Sequence, residues 1–119
     1  MRAIFDSDVL IDFLQGNEQA KLELTRYRRR EISIISWMEI MVGADDPNEE
    51  KVCREFLSTF TVHPLSSEIA TEAVSIRKMH RIRLPDAIIW ATARSEDCIL
   101  VSRNQKDFPK DEPGIRNPY

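Results

Sequence analysis

Four acidic residues stand where short apolar segments end or where helices are predicted to begin: Asp6, Glu39, Asp86 and Asp107. If their carboxylates meet, they repel one another, and each pair about 4 Å apart costs about 4 kcal/mol at an effective dielectric of 20. A fold tolerates such crowding when a carboxyl group is protonated or when a divalent cation lies between the oxygens. All-oxygen ligation suits Mg²⁺ or Mn²⁺, and such sites activate water for the hydrolysis of phosphodiesters.

Taken one at a time, these acids have simpler explanations. Asp6 could cap the first helix, and Glu39 could be the distal partner of a capping box that begins at Ser36. Asp86 follows a proline and suits the dipole of a first helical turn, while Asp107 could be a solvated loop residue. The chemical interpretation therefore depends on whether the fold brings the four carboxylates together.

Short apolar runs alternate with amphipathic stretches along the chain, which is typical of strands and helices that follow one another. This alternation predicts an α/β fold with a mainly parallel sheet of four or five short strands, covered by helices on both faces. The predicted strands are 3–5, 32–35, 61–63, 98–101 and 115–117. Three of the predicted helices span 18–29, 49–60 and 86–96, and the last of these is apolar nearly all round. Three more are predicted to begin near residue 9, at residue 36 and at residues 66–67.

The carboxyl ends of the strands are where a parallel sheet gathers its ligands. Asp6 ends the first strand, Glu39 lies in the first turn of the helix after the second, and Asp107 follows the strand that ends at Val101. These three acids are therefore predicted to share one edge of the sheet. Asp86 joins them if its helix also begins at that edge.

The composition is that of one globular domain spanning residues 1–119, with 42% hydrophobic and 31% charged residues. A net charge of −3 excludes a polycation that holds nucleic acid by charge alone. No apolar run approaches the about 18 residues of a membrane span, and early aspartates interrupt any signal-peptide core. We therefore expect a cytoplasmic protein without a membrane segment.

Four phrases in the sequence carry a family resemblance: IFDSDVLIDFL, SIISWMEIMVG, LPDAIIWATA and ILVSRNQKDF, with NPY at the end. In this order and across almost the whole chain, they resemble the PIN-domain ribonucleases, and among them the small VapC-type toxins of bacterial toxin–antitoxin pairs. The resemblance implies a three-layer α/β/α sandwich and a Mg²⁺- or Mn²⁺-dependent endoribonuclease. It also implies that water attacks the phosphodiester, which leaves 5′-phosphate and 3′-hydroxyl ends.

The resemblance assigns the catalytic residues, which would also be the metal ligands. Asp6, Glu39 and Asp86 match the three acids that recur in the family. Asn104 stands where some members carry a fourth acid, but it supplies no charge, so the fourth position is assigned to Asp107. On this basis Asp6, Asp86 and Glu39 would hold a first ion, and Asp107 a second ion or a water.

Supporting roles and partners follow from the same resemblance. The metal ligands are predicted to be held in position by Asp8, Ser102 and Asn104. Arg103 is a candidate for contact with the RNA backbone. Asp12 is expected to be only the polar side of the first helix. Besides RNA, the implied partners are a cognate antitoxin and a second copy of the chain in a homodimer. Apolar side chains of the first two helices would serve either the core or a groove for the antitoxin.

Three alternatives remain open at this point. The phrase FDSDVL also resembles the first motif of haloacid-dehalogenase-type phosphatases, with Asp6 as a nucleophile, although a second acidic motif is missing. A response-regulator receiver domain needs a phospho-acceptor aspartate at a strand end near positions 50–55, where this chain has Lys51 to Arg54. The third alternative is a PIN-like module that binds without cutting.

Overall fold

Five short parallel strands form one sheet in the computed structural model, which describes residues 1–109 and 111–119. The strands are β1 (Ala3–Phe5), β2 (Arg30–Ser33), β3 (Thr61–His63), β4 (Ile99–Val101) and β5 (Ile115–Arg116). They lie in the order β3-β2-β1-β4-β5, and every neighbouring pair is parallel. The helices are α1 (Ser7–Leu14), α2 (Glu18–Thr25), α3 (Ile34–Val42), α4 (Pro47–Leu57), α5 (Ser67–His80) and α6 (Leu84–Ser95).

The two faces of the sheet bury two separate apolar clusters. Successive side chains of a strand point to opposite faces, so Ala3 and Phe5 pack with α1, α2, α3 and α4, whereas Ile4 packs with α5 and α6. All three side chains of β1 are fully buried, as expected for a central parallel strand with helices on both sides. The predicted three-layer sandwich is confirmed.

Helix α6 is the most buried helix on its face of the sheet. Every residue from Asp86 to Ala93 is buried, including the large side chains of Ile89 and Trp90. Full burial of an aliphatic or aromatic side chain contributes roughly 1.5–3 kcal/mol, so this helix is firmly fixed to the sheet. Its first turn, which carries Asp86, is fixed with it.

The start of α3 differs from the prediction. Strand β2 ends at Ser33, whose hydroxyl caps α3 by accepting a hydrogen bond from the backbone N–H of Ile35 (3.1 Å). Ser36 is therefore buried inside the helix, and the capping box predicted for Ser36 and Glu39 is wrong. The β-branched pair Ile34 and Ile35 looked like a strand, but the serine before it ends the strand first.

Other boundaries differ by a few residues. Helix α2 ends at Thr25 rather than at residue 29, because Arg30 already pairs with Ala3 in the sheet. Helix α1 begins at Ser7, directly after the cap at Asp6, and α4 spans Pro47–Leu57 rather than 49–60. None of the helices in the described part of the chain is both long and apolar enough to cross a membrane.

The amino-terminal edge of the sheet contains an ion-pair network around Glu31, whose side chain is fully buried. Arg2 donates to both carboxylate oxygens of Glu31 (2.6 and 3.0 Å), and His63 Nε2 lies 2.8 Å from Oε1. The third guanidinium nitrogen of Arg2, Nη1, donates to the backbone carbonyl of Glu96 at the end of α6 (2.9 Å). This network joins the residue before β1 to β2, β3 and the C-terminal end of α6.

Candidate active site

Asp6 lies at the carboxyl end of β1 and is the N-cap of α1. Its Oδ1 accepts a hydrogen bond from the backbone N–H of Ser7, and its Oδ2 accepts one from the hydroxyl of Ser102, both at 2.7 Å. Burial, with a smaller contribution from the nearby charge of Asp8, raises the pKa of Asp6 to about 7. Both carboxylate oxygens are thus fixed in place, yet the negative charge remains poorly compensated.

Asp8 supports this arrangement from the first turn of α1. Its Oδ2 accepts a hydrogen bond from the backbone N–H of Arg103 (3.1 Å), while its Oδ1 is buried and has no hydrogen-bond partner in the described residues. Burial raises the pKa of Asp8, against the opposing charge of Arg103. A buried carboxylate oxygen without a donor is costly, so the negative charge here is only partly compensated.

Asp86 lies in the first turn of α6, as predicted, and this turn faces the same edge of the sheet as Asp6. Its Oδ2 accepts two hydrogen bonds from the guanidinium of Arg83 (3.0 and 3.2 Å). Burial, and then a close approach to the carboxyl group of Asp107, raises the pKa of Asp86 to about 6 despite the arginine. The condition set by the sequence, that this helix begins at the acidic edge, is therefore met.

Asp107 is held by Asn104 through two reciprocal contacts. The amide of Asn104 donates to Asp107 Oδ2 (3.0 Å), and the backbone N–H of Asp107 donates to Asn104 Oδ1 (3.2 Å). Hydrogen bonding to Asp86 and to Asn104 lowers the pKa of Asp107. Asn104 also donates its own N–H to the hydroxyl of Ser102 (3.0 Å), so the loop after β4 connects Asp107 to the residue that holds Asp6.

Glu39 projects from the middle of α3 toward α1. Its Oε1 accepts a hydrogen bond from the hydroxyl of Ser7 (2.5 Å), and Ser7 itself is buried. Sequence reasoning missed Ser7. The available signal was a small polar residue placed directly after Asp6, but its partner lies 32 positions further along the chain.

Arg103 is engaged with other residues of the chain. Its guanidinium donates to both carboxylate oxygens of Asp12 (2.5 and 3.1 Å) and lies 6.0 Å from the ring of Tyr119. The hydroxyl of Tyr119 also donates to Asp12 (2.7 Å). Asp12 is therefore more than the polar side of a helix, because it anchors the arginine whose backbone holds Asp8.

The chemistry of this set fits a hard divalent cation, although the ligands are not preassembled. Within residues 1–109 and 111–119, no three His, Cys, Asp or Glu side chains converge in an arrangement that could hold an ion as they stand. The donors are nonetheless all oxygens, and the carboxyl groups of Asp6 and Asp86 have raised pKa values. One buried oxygen of Asp8 also lacks a hydrogen-bond partner in the described residues. Mg²⁺ and Mn²⁺ prefer such donors.

One alternative function conflicts with the fold. Residues 51–54 lie in the interior of α4, whereas a receiver domain requires its phospho-acceptor aspartate at the end of a strand. The receiver interpretation is therefore wrong.

Comparisons with known proteins agree on one family. The family model described as the PIN domain matches residues 3–110. Ribonuclease VapC10 of Mycobacterium tuberculosis is 34% identical over 124 residues, which cover 98% of this chain and 92% of that protein. A chain in a toxin–antitoxin complex from Klebsiella pneumoniae is 42% identical, with a TM-score of 0.92 and 98% of both chains covered. FitAcB from Neisseria gonorrhoeae, at 21% identity and a TM-score of 0.81 over 98% of this chain and 97% of its own, shares the fold.

Proposed function

Because the chain belongs to the PIN-domain family, we propose that it is a metal-dependent endoribonuclease and the toxin of a toxin–antitoxin pair. The observation that carries this proposal is the crowding of Asp6, Asp86 and Asp107 at the carboxyl edge of the sheet, where burial raises the pKa of the first two. A fold gains nothing in stability from buried, crowded carboxylates. Their cost is explained if they serve a cation and a phosphodiester substrate.

Each proposed ligand has a residue of this chain that sets its position. Asp6, Asp86 and Glu39 would hold a first divalent ion, and Asp107 would hold a second ion or a water. When bound, the ion supplies a Lewis acid that activates water and offsets charge on the leaving 3′ oxygen. Asp6 is oriented by the hydroxyl of Ser102, which also accepts a hydrogen bond from the loop that carries Asp107.

The remaining protein groups support the geometry of attack. Ser7 directs one oxygen of Glu39 toward α1, and Asn104 fixes Asp107 through its amide. These contacts hold the two carboxylates in defined positions before substrate and metal arrive. Because water rather than the 2′-hydroxyl is the nucleophile, the products carry 5′-phosphate and 3′-hydroxyl ends.

End-labelled single-stranded RNA tests this function directly. We expect cleavage in Mg²⁺ or Mn²⁺ and none after treatment with EDTA, with activity restored when the metal is returned. Products should be substrates for a 5′-phosphate-dependent exonuclease, and their 3′ ends should be extendable by poly(A) polymerase. Cleavage in EDTA, or products with 2′,3′-cyclic phosphates, would contradict the mechanism. Metal and RNA binding without cleavage would favour the non-catalytic alternative, and a phosphoaspartate trapped on Asp6 would favour the phosphatase.

The antitoxin is proposed to occupy an apolar groove beside the acids. A groove of about 420 Å³ runs between α1, α3 and α4, and its wall includes Ile11, Leu14, Val52 and Glu39. Ile11 and Val52 are 41% and 50% exposed, so the groove presents aliphatic side chains to solvent. An amphipathic segment could bury them and reach Glu39 at the same time. By contrast, Leu10 and Leu24 of the first two helices belong to the core.

A matched pair of valines tests the groove. In the RNA assay, the antitoxin of the Klebsiella pneumoniae complex should inhibit the wild-type chain and Val74→Lys equally. Val52→Lys should need roughly tenfold more antitoxin, because a charged group replaces a buried contact. Val74 is a close control, since it is 49% exposed but lies on α5, away from the groove. Equal inhibition of both variants would rule out this groove, and failure to inhibit even the wild-type chain would rule out this particular antitoxin as a partner.

The whole chain is proposed to act as one nuclease domain. Strand β5 completes the sheet beside β4, Arg116 forms two hydrogen bonds with Glu23 of α2 (2.8 and 3.0 Å), and Tyr119 reaches Asp12. The C-terminal residues therefore support the site rather than forming a separate tail. The homodimer implied by the resemblance stays a prediction, which sedimentation of the purified chain can measure.

A further inference from the structure

Among residues 1–109 and 111–119, Arg83 is the cation that lies against two of the proposed ligands, Asp86 and Asp107. It stands directly before α6, at the N-cap position, where its side chain makes no capping hydrogen bond. Its Nη2 lies 3.0 Å from Asp86 Oδ2 and 3.6 Å from Asp107 Oδ2. The guanidinium therefore lies between two of the carboxylates that are proposed to hold metal.

The Arg83 side chain is 75% exposed, whereas the Asp86 side chain is 6% exposed. It approaches the acids from the solvent side, and the charges of Asp86, Asp107 and Glu39 all raise its pKa. An ion pair with so exposed an arginine is easily broken. Arg116, in comparison, is 34% exposed and pairs with both oxygens of Glu23.

The chemistry of the guanidinium indicates where it goes when the pair breaks. Both of its hydrogen bonds go to a single oxygen, Asp86 Oδ2, so several N–H donors remain available. Guanidinium groups bind phosphate through pairs of parallel N–H donors. The scissile phosphate must come to the solvent side of the carboxylates, which is the side where Arg83 lies.

We propose that Arg83 is an exchangeable counter-ion of the active site: it neutralises Asp86 and Asp107 in the metal-free chain, gives way to the divalent cation, and then binds a phosphate of the RNA. This inference rests on the proposed nuclease function. It implies that one side chain opposes metal binding and favours RNA binding. If the Arg83–Asp86 ion pair had only a structural role, replacing Arg83 would not strengthen metal binding and weaken RNA binding at the same time.

Titration of the metal-stripped chain with Mn²⁺ by calorimetry measures the first effect. Arg83→Gln should bind Mn²⁺ about tenfold more tightly than the wild type, because a competing positive charge is removed. Arg83→Lys keeps the charge and should stay close to the wild type. Arg94→Gln is the matched control, since Arg94 lies on α6 as well but pairs with Glu72 at the other end of the helix (3.0 Å).

Fluorescence anisotropy with a labelled phosphorothioate RNA, which is hydrolysed slowly, measures the second effect. With Mn²⁺ present, Arg83→Gln should bind this RNA about tenfold more weakly, and the slope of log K against log salt should fall by about 0.7, as for one lost phosphate contact. Without metal, wild type and Arg83→Gln should bind RNA equally, because the acids then hold the arginine. Arg94→Gln should match the wild type in both conditions.

The outcomes separate this inference from the proposed function. If Arg83→Gln binds Mn²⁺ no more tightly than the wild type, or binds RNA equally well in Mn²⁺, the exchange of partners is refuted even though the wild type cleaves RNA. If the wild type binds no Mn²⁺, or binds it equally after Asp86→Asn, the metal site itself is refuted and this inference falls with it. Thermal unfolding of each variant checks that folding is retained.

Discussion

Asp6→Asn and Asp86→Asn are each expected to reduce RNA cleavage by about 10³-fold or more, the scale on which loss of one group that stabilises developing charge affects kcat. Each substitution keeps the size and shape of the side chain but removes the charge that would hold the cation. The measurement is single-turnover cleavage of end-labelled RNA at saturating Mg²⁺. Asp45→Asn, an exposed aspartate before α4, is the matched control and should retain full activity.

The stability of Asp6→Asn distinguishes lost chemistry from lost folding. Burial raises the pKa of Asp6 from 3.8 to about 7, so the folded chain holds this proton more tightly than the unfolded chain does. The stabilisation from that proton is complete below pH 4 and is lost as the pH rises through 7. Without metal at pH 8, Asp6→Asn should therefore be at least as stable as the wild type, and this advantage should disappear near pH 5.

Two results would contradict the assignment. Near-normal cleavage by Asp6→Asn would exclude this carboxylate as a ligand. A variant that is inactive and also less stable than the wild type at pH 8 would show that Asp6 holds the fold together rather than the cation. Denaturant unfolding of the metal-free proteins at pH 5 and pH 8 provides the second measurement.

The sequence predicts the architecture well because short apolar segments with clear ends mark its strands. Residues 3–5 and 61–63 are short β-prone segments bounded by polar residues or proline, and both strands have the predicted limits. Ser66 caps α5 as expected, by accepting a hydrogen bond from the N–H of Ile69 (3.1 Å). The resemblance to the PIN-domain family, carried by four phrases in order, is confirmed.

The meeting of the acids was also predictable, since a parallel sheet places the ends of its strands at one edge. Individual side-chain partners were not. Ser7 and Glu39 are 32 positions apart, and Arg103 and Asp12 are 91 positions apart. No periodicity links such residues, because these contacts depend on rotamers and loop paths that form only after the helices have packed. The roles of the acids as ligands stay predictions until the experiments above are done.

The ion-pair network around Glu31 is the clearest case of side-chain partners that the sequence does not predict. A glutamate beside a predicted strand gives no sequence signal of burial, and a histidine at the end of a short strand gives none of a buried ion pair. In the structure, Glu31 is fully buried, and despite that burial the hydrogen bonds from Arg2 and His63 hold its pKa below the ordinary value. The charge is therefore maintained inside the protein by its partners, unlike the raised pKa of Asp6.

Glu31→Gln is expected to lower the free energy of unfolding by about 3 kcal/mol, the low end of the range for breaking a buried ion pair. The amide cannot accept from Arg2 at both positions, and its NH₂ group meets a donor instead. Urea unfolding at pH 7 measures the loss. Glu72→Gln is the matched control, because the Glu72–Arg94 pair has a similar distance of 3.0 Å but both side chains are about 40% exposed. Such surface pairs contribute roughly 0–1 kcal/mol.

The lowered pKa of Glu31 determines how the stability difference between wild type and Glu31→Gln changes with pH. A carboxylate with a lowered pKa contributes stability above its unfolded pKa and loses it as the pH falls through the folded value. The difference between wild type and Glu31→Gln should accordingly be full at pH 7 and shrink below pH 4, opposite to the trend for Asp6→Asn. An equal loss in Glu72→Gln, or a difference that grows in acid, would mean that this network is not what joins the strands to α6. The two edges of one sheet thus use buried carboxylates in opposite ways, paired for stability at one end and undercompensated at the other.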